Sequence, residues 1–245
     1  MGYIPFFMKQ LRIIMVVWKF FPCPEGGAER QCRKLVEELS AQGHSCQVLT
    51  SYLDPCLQRT ENMPEGYRVQ RLGTFFGQEE TIKKCLHSIR KKIAWRVFDR
   101  IHDPVAFWLA LPFVWLARLS FMLALKKFFK ENYKDIDIVH VHEAHWIAGA
   151  VAWTIQGLEL PIVCKEASFP AVDKISYDAP FRRTLARLRR QVHFIALTAA
   201  VKKSLCNIGI AEEQITLIPN GVHLPTKKSP LVGARDIVYI GNLTQ

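Results

Sequence analysis

Seven short apolar runs recur along the sequence, and stretches with helical periodicity separate most of them. The runs are rich in β-branched residues and read as continuous hydrophobic runs rather than alternating ones, which is typical of strands buried on both faces of a parallel sheet. The predicted strands are Arg12–Trp18, Ser45–Ser51, Tyr67–Leu72, Ile136–His142, Pro161–Lys165, His193–Leu197 and Gln214–Ile218. Because strands and helices alternate, the sequence predicts an α/β fold, a Rossmann-like parallel sheet with helices on both faces.

Two glycines, Gly26 and Gly27, join the first predicted strand to an amphipathic helix over Ala28–Gln42. The first N–H groups of a helix have no partner within it and lie at the positive end of its dipole, so they can hold an anion. Glycine also lets a ligand approach the main chain closely. This turn is therefore predicted to bind a phosphate or a sugar, or else to be only a tight connection. The three-glycine dinucleotide fingerprint is absent, which argues against NAD.

Composition further restricts the class of protein. With 245 residues, 49% of them hydrophobic, the chain can bury a large core. Its seven cysteines include no Cys-x-x-Cys pair, so we expect neither a zinc site nor a disulfide framework. Reduced thiols predict a cytosolic protein.

A net charge of +11 is unevenly distributed, with eleven basic and two acidic residues between Lys83 and Lys130. This segment contains Val105–Leu125, whose only charge is Arg118 and whose length could span a bilayer. A single crossing there would place strands of one sheet on opposite sides of the membrane, so we do not expect a span. Two interpretations remain. The segment is a buried or capping helical hairpin, or a pair of interfacial helices whose flanking lysines bind anionic lipid headgroups.

Basic runs also raise the question of nucleic acid. A second basic run, Arg182–Arg190, falls on one predicted helix. It is either a site that binds a lipid phosphate or a solvated helix face. The sequence contains no RNA- or DNA-binding motif, and its aromatic residues lie in hydrophobic runs. We therefore expect no nucleic-acid partner.

Four motifs in register carry a family resemblance. They are Gly26-Gly27-Ala28-Glu29-Arg30, Asp137-Ile138-Val139-His140-Val141-His142, Ile218-Pro219-Asn220-Gly221-Val222 and Tyr239-Ile240-Gly241-Asn242-Leu243. In order and spacing they resemble a retaining glycosyltransferase of family 4, and the resemblance covers essentially the whole chain. It implies the GT-B architecture, in which two Rossmann-like domains face a cleft. It also implies that the N-terminal domain serves mainly the acceptor and the C-terminal domain mainly the sugar nucleotide.

The resemblance also predicts a domain organisation. Residues 1–218 would form the acceptor-side domain, with a hydrophobic and basic helical insertion at about 78–131. Residues 219–235 would form an interdomain linker, and residues 236–245 the first strand of a C-terminal domain that is cut short. In the family, a basic pair and a Glu-x₇-Glu motif in the C-terminal domain bind the nucleotide sugar. This sequence includes only about one strand of that domain, so the chain is expected to be incomplete as an enzyme.

Candidate site residues follow from the strands and from the resemblance. His140 and His142 are two apart on one strand and so share a face, and His142 is nearer the carboxyl end, where ligands bind in open sheets. Neutral imidazole can donate and accept a hydrogen bond, which suits a hydroxyl-rich ligand, although a core hydrogen bond is the alternative role. In the family, Gly26, Gly27 and the histidine line the cleft. We predict His142 as catalytic and substrate-binding, with Gly26, Gly27 and Glu166 as substrate-binding residues.

The predicted function is sugar-nucleotide-dependent hexosyl transfer to a lipid-linked or polysaccharide acceptor. It would need no metal and no cofactor besides the donor, which is a substrate. The protein is expected in the cytoplasm, peripheral on the inner face of the cell membrane. An alternative is a non-catalytic, membrane-associated binding subunit that needs a separate donor-binding chain. A third, a sugar-nucleotide epimerase of the same architecture, is disfavoured because such enzymes do not need the hydrophobic and basic insertion.

Overall fold

The structure, a computed structural model, describes most of the chain. The described residues are 9–22, 26–54, 56–73, 102–142, 146–166 and 192–221, of which 102–114 are described by their backbone alone. Several predictions lie outside the described residues. They are the first part of the insertion, the run Arg182–Arg190, most of the predicted linker and the strand expected at 236–245.

One sheet organises the described part of the chain. Its strands are β1 (Arg12–Val16), β2 (Ser45–Ser51), β3 (Thr60–Asn62), β4 (Arg68–Leu72), β5 (Ile138–His142), β6 (Ile162–Glu166), β7 (Val192–Ala196) and β8 (Ile215–Leu217). They lie in the order β3-β4-β2-β1-β5-β6-β7-β8. All neighbouring pairs are parallel except β3 and β4. The predicted α/β class and parallel sheet are therefore confirmed.

All seven predicted strands are present, with β2 at its predicted bounds and the others within two residues. The structure also contains an eighth strand, β3, which the sequence did not predict. Its three residues, Thr-Glu-Asn, are polar and form no apolar run, and its antiparallel pairing with β4 comes from the tertiary structure. Edge strands are often short and polar, so they leave little trace in a hydrophobic pattern.

The helices are α1 (Gly27–Ala41), α2 (His102–Asn132), α3 (Trp146–Thr154) and α4 (Ala199–Asn207). In α1, Cys32 and Val36 are buried one turn apart, while the Arg33–Glu37 ion pair, 2.9 Å long, lies on its outer side. Helix α4 begins at Thr198, whose hydroxyl accepts a hydrogen bond from the Val201 N–H at 3.2 Å, a common N-cap.

Helices cover both faces of the sheet. On one face, Cys32 and Val36 of α1 pack on Met15 and Val48. On the other face, a larger apolar cluster joins α2, α3 and α4 to the strands, including Phe121, Val141 and Val151. Helix α3 is buried on nearly all sides because it contacts both α2 and the sheet. This double cover explains why the strands read as continuous apolar runs.

The described part of the insertion is a single helix. From His102 to Asn132 the chain forms one continuous helix of 31 residues, so no hairpin turn lies within Val105–Leu125. The first part of the insertion, which could form the other helix of the predicted hairpin or pair, lies outside the described residues. Between Phe113 and Glu131 the sequence contains no Gly, Pro, Asn or Asp, and therefore nothing to start a turn. Among the described residues, no helix has both the length and the apolar composition that crossing a bilayer requires.

Candidate functional site

The candidate site lies at the carboxyl edge of the sheet, where β1, β5 and β6 end side by side. His142 is the last residue of β5, and Glu166 is the last residue of β6. Helix α1 follows β1 after a connection over residues 17–26 and begins at Gly27. Ligands of open α/β sheets bind outside the carboxyl ends of the strands, so the predicted residues are at the expected edge.

The two glycines occupy the start of α1. Gly26 precedes the helix in an extended conformation, with φ −86° and ψ −168°, and its N–H donates to Glu29 Oε2 at 2.9 Å. A Cβ on Gly26 would meet that oxygen at 2.7 Å, whereas one on Gly27 would meet nothing within 4 Å. The Glu29 carboxylate is the end of a flexible, exposed side chain that can move aside, so a Cβ at position 26 would displace this contact at little cost. At position 27 the packing within the chain leaves open space.

His140 and His142 project from β5 towards α1. His140 is the register partner of Met15, which packs beneath α1 with Cys32, and His142 shares its face. The two rings are 6% and 2% exposed, and their centroids are 4.7 Å apart. Within the described part of the chain, both ring nitrogens of His140 and Nε2 of His142 have no hydrogen-bond partner. Such buried, unsatisfied groups are rare and call for an explanation.

Burial sets the charge of this pair. Desolvation, together with the nearby Lys165, lowers the pKa of His140 to about 4. Burial, the neighbouring His140 and Lys165 hold the pKa of His142 well below its ordinary value. Both rings are therefore neutral at physiological pH, and each carries one N–H donor and one lone pair. Lys165 is the register partner of His142, and burial lowers its pKa too.

Glu166 does not join this cluster. It is fully buried, and its register partner is Ala196. Its side chain shares a face with Cys164, which packs in the cluster of α2, α3 and α4, whereas His142 faces α1. The structure thus brings His142 together with His140 and Lys165, while Glu166 lies at the same edge on the opposite face of the sheet.

An aromatic cluster at this edge was missed by the sequence analysis. The Trp18 ring lies 4.7 Å from Trp146 and 5.4 Å from Phe121, both edge-on. The Arg118 guanidinium lies 4.8 Å above the Trp146 ring. The Trp18 carbonyl accepts hydrogen bonds from the Ser51 N–H at 3.1 Å and the Thr50 hydroxyl at 3.0 Å. A tryptophan at the end of the predicted strand Arg12–Trp18 was the available clue, but its partners are distant in sequence.

Arg71 was also missed. Its side chain is 2% exposed, and its guanidinium lies 3.0 Å from Glu61. It donates to the Gln58 carbonyl at 2.7 Å and to the Phe21 carbonyl at 3.1 Å. Phe21 belongs to the connection that leads from β1 to the glycines of α1. Arg71 therefore ties β4 to the segment that positions the start of α1.

The opposite, amino edge of the sheet holds an Asp-x-Asp sequence, Asp135-Ile136-Asp137. Asp137 accepts hydrogen bonds from the Arg12 N–H at 2.9 Å and from Lys9 at 3.0 Å, and Asp135 pairs with Arg12 at 3.2 Å. These carboxylates bind the start of β1 to the segment that leads into β5, and they lie at the opposite edge from the candidate site. In the described residues, no three His, Cys, Asp or Glu side chains are grouped to hold a metal ion.

Comparison with known proteins identifies the family. A parallel sheet with a glycine-bearing strand–helix turn at its carboxyl edge is the frame of a Rossmann-like domain of the GT-B type. The model of Glycosyltransferase Family 4 matches residues 25–225. The chain belongs to glycosyltransferase family 4, and the predicted resemblance is confirmed. Among curated proteins, no sequence matches the chain significantly.

Solved structures share the fold. Sucrose-phosphate synthase from Thermosynechococcus elongatus aligns with a TM-score of 0.54 and 18% identity, over 87% of this chain and 49% of its own. The catalytic domain of starch synthase IV from Arabidopsis thaliana, bound to ADP and acarbose, aligns with a TM-score of 0.50 and 13% identity, over 87% of this chain and 52% of its own. The chain thus spans about half the length of these two proteins.

Proposed function

We propose that the chain is the acceptor-side domain of a retaining, sugar-nucleotide-dependent glycosyltransferase. The transferred group would be a hexosyl unit, and the acceptor a lipid-linked sugar or a polysaccharide. Membership of family 4 supports transfer of a sugar. The observation that carries the proposal at the level of the site is His142, a neutral histidine at the carboxyl end of β5 whose Nε2 has no partner in the described residues.

In this proposal His142 holds a hydroxyl of the sugar. A sugar hydroxyl both donates and accepts hydrogen bonds, so it can satisfy Nε2 in either tautomer of the ring. Because burial keeps the ring neutral, no charge has to be desolvated when the sugar binds. His140 packs against the His142 ring and acts through it as a positioning residue.

Gly26 and Gly27 would line the same pocket from the start of α1. Glu29 already places a carboxylate on the Gly26 N–H, so an anion meets repulsion at that point. A hydroxyl-rich ligand meets none. We therefore assign the open side of Gly27 to sugar hydroxyls, and the nucleotide diphosphate to positive groups of the donor-binding half.

We further propose that the protein works in the cytoplasm, peripheral on the inner face of the cell membrane, where a lipid-linked acceptor is within reach. Seven cysteines without a Cys-x-x-Cys pair support a reducing compartment. Apolar and basic side chains on the outer side of α2 support a membrane surface as a partner.

The test is a transfer assay of the purified chain with a panel of radiolabelled sugar nucleotides and a membrane extract as acceptor. We expect His142→Asn to lower transfer tenfold or more, because an unsatisfied buried hydrogen bond costs about 1–3 kcal/mol and each 1.4 kcal/mol is about tenfold. His193→Asn, at an exposed histidine on β7, is the matched control. Equal loss in both variants, with both folded, would overturn the role of His142.

The second candidate is a non-catalytic binding subunit that needs a separate donor-binding chain. It is favoured by one observation, the exposed apolar and basic side chains on the outer side of α2, which suit a membrane-associated binding protein whether or not it transfers a sugar. The same assay separates the two. Transfer that appears only when a second protein fraction is added back, and that still depends on His142, would favour the subunit over the self-sufficient enzyme.

A further inference from the structure

The outer side of α2 carries a strip of exposed side chains, apolar in its first half and basic in its second. The apolar half has Trp115, Leu116, Leu119 and Leu123, which are 47–53% exposed. The basic half has Lys126, Lys127 and Lys130, all three of which are exposed. Positions 116, 119, 123, 127 and 130 follow the three- and four-residue spacing of one helix face. We call these seven residues the α2 strip.

The side chains of the α2 strip do not pack in the hydrophobic core. The opposite side of the same helix is buried through Ala117, Phe121, Leu125 and Phe129. Scattered exposed leucines are normal on a protein surface, but four large apolar side chains in one stripe are not. A contiguous apolar stripe of this kind is typical of an interaction surface.

Positive charge concentrates beside the leucines. Leu123, Lys126, Lys127, Lys130 and Glu131 line a surface depression of about 490 Å³. Lys126 Nζ lies 4.7 Å from the Trp153 ring, so its ammonium is held in place. Three lysines against one glutamate leave the depression cationic, which suits phosphate groups of a partner.

The fold places the apolar half of the strip at the same edge of the sheet as the candidate site, on the opposite face. Helix α2 leads into the amino end of β5, so it runs antiparallel to the parallel strands. Phe121 lies at the carboxyl edge of the sheet, because its ring contacts the Trp18 ring. A Cβ on Gly73, just beyond β4, would also lie 3.2 Å from the backbone nitrogen of Phe121. Trp115 therefore lies beyond that edge, by about 9 Å at 1.5 Å per residue. The lysines lie further down the sheet.

We propose that the α2 strip docks on an anionic lipid surface. Lysines that reach headgroup phosphates beside leucines that enter the acyl boundary are the pairing that interfacial helices use. A second copy of the chain fits less well. It would set lysines against lysines or against leucines, and neither arrangement pairs the charge. The exposed leucines would likewise gain nothing from a nucleic-acid backbone.

This inference deepens the proposed function and rests on it for the identity of the acceptor. With the strip on the membrane, its apolar half lies at the carboxyl edge of the sheet, and His142 lies at the same edge on the face opposite α2. A lipid-linked sugar would then reach over this edge to the site while its tail stays in the bilayer.

The test is cosedimentation of the purified full chain with vesicles of phosphatidylcholine alone or mixed with phosphatidylglycerol, at about 0.1 M salt, where charges more than about 10 Å apart are screened. We expect binding to the mixed vesicles. Lys127→Gln with Lys130→Gln should weaken it about 30-fold, since each lysine near an anionic surface contributes about 1 kcal/mol. Leu119→Glu with Leu123→Glu should abolish it.

The matched control removes the same charge elsewhere. Lys34→Gln with Lys203→Gln neutralises two exposed lysines on α1 and α4 and should leave vesicle binding unchanged. Equal weakening in both lysine pairs would overturn the proposal, because binding would then follow net charge alone. Unchanged binding in the leucine pair, or strip-dependent dimers in place of vesicle binding, would also overturn it. Vesicle binding without sugar transfer would instead count against the proposed function and leave the docking surface intact.

Discussion

At the scale of a single residue, a substitution at Gly27 tests whether the start of α1 binds a ligand. Nothing within 4 Å would meet a Cβ there, and alanine favours a helix over glycine by about 1 kcal/mol. We expect Gly27→Ala to leave the free energy of unfolding unchanged or slightly higher, and to lower sugar transfer, because the methyl group fills the space that a ligand would use. Urea unfolding and the transfer assay measure the two effects separately.

The control lies at the other end of α1. Gly43 has φ +89°, a left-handed conformation that costs a non-glycine residue about 1 kcal/mol or more. Gly43→Ala should therefore destabilise the protein and leave transfer by the folded protein unchanged. If Gly27→Ala transfers sugar as well as the wild type, the open side of Gly27 is not a ligand site.

At the scale of elements, Arg71 connects three segments that the sequence keeps apart. It holds carbonyls of Gln58 and Phe21, and pairs with Glu61. Arg71→Met should lower the free energy of unfolding by about 2–4 kcal/mol, because two carbonyls lose a charged donor in a buried position. Amide exchange should speed up at Lys19–Phe21, the connection that precedes α1. Urea unfolding and hydrogen exchange measure these changes.

Glu61→Gln provides the comparison for Arg71. The Glu61 side chain is 41% exposed, so its ion pair with Arg71 is screened and contributes less than about 1 kcal/mol. The arginine keeps both carbonyl acceptors in this variant. A loss as large as that of Arg71→Met would mean that the ion pair, and not the carbonyl bonds, stabilises the connection.

At the scale of the whole molecule, the buried histidines make stability depend on pH. The pKa of His140 is about 4 in the folded protein and 6.5 for the ordinary side chain. Between these values the unfolded chain binds a proton that the folded protein does not, so stability falls as the pH drops from about 6.5 to about 4. His140 alone accounts for roughly 3 kcal/mol over this range. His142 acts in the same direction.

Urea unfolding at a series of pH values checks this dependence. The slope of stability against pH should become shallower in His140→Leu, which removes one titrating group, and should remain in His193→Asn. The comparison of slopes also corrects for carboxylates that titrate at the lower end of the range. A wild-type stability that stays level down to pH about 4 would contradict the neutral, buried state of the pair.

Much of the fold was predictable because its determinants are local. The runs that form β1 and β5 are largely apolar and rich in β-branched residues, and α1 ends close to Gly43, whose φ is +89°. The motif around Gly26 and Gly27 placed the start of α1 to within one residue. The position of His142 at the carboxyl end of its strand also followed from the sequence, because a strand's direction fixes which end faces the site.

The tertiary structure decided which residues meet. It brought Lys165 and His140 to His142 through strand pairing, and turned Glu166 to the opposite face through the alternation of side chains. It joined Trp18 to Phe121 and Arg71 to Phe21 across long stretches of chain. Sequence patterns report the period and burial of one segment at a time. Contacts between segments depend on register and packing, which only the folded chain defines.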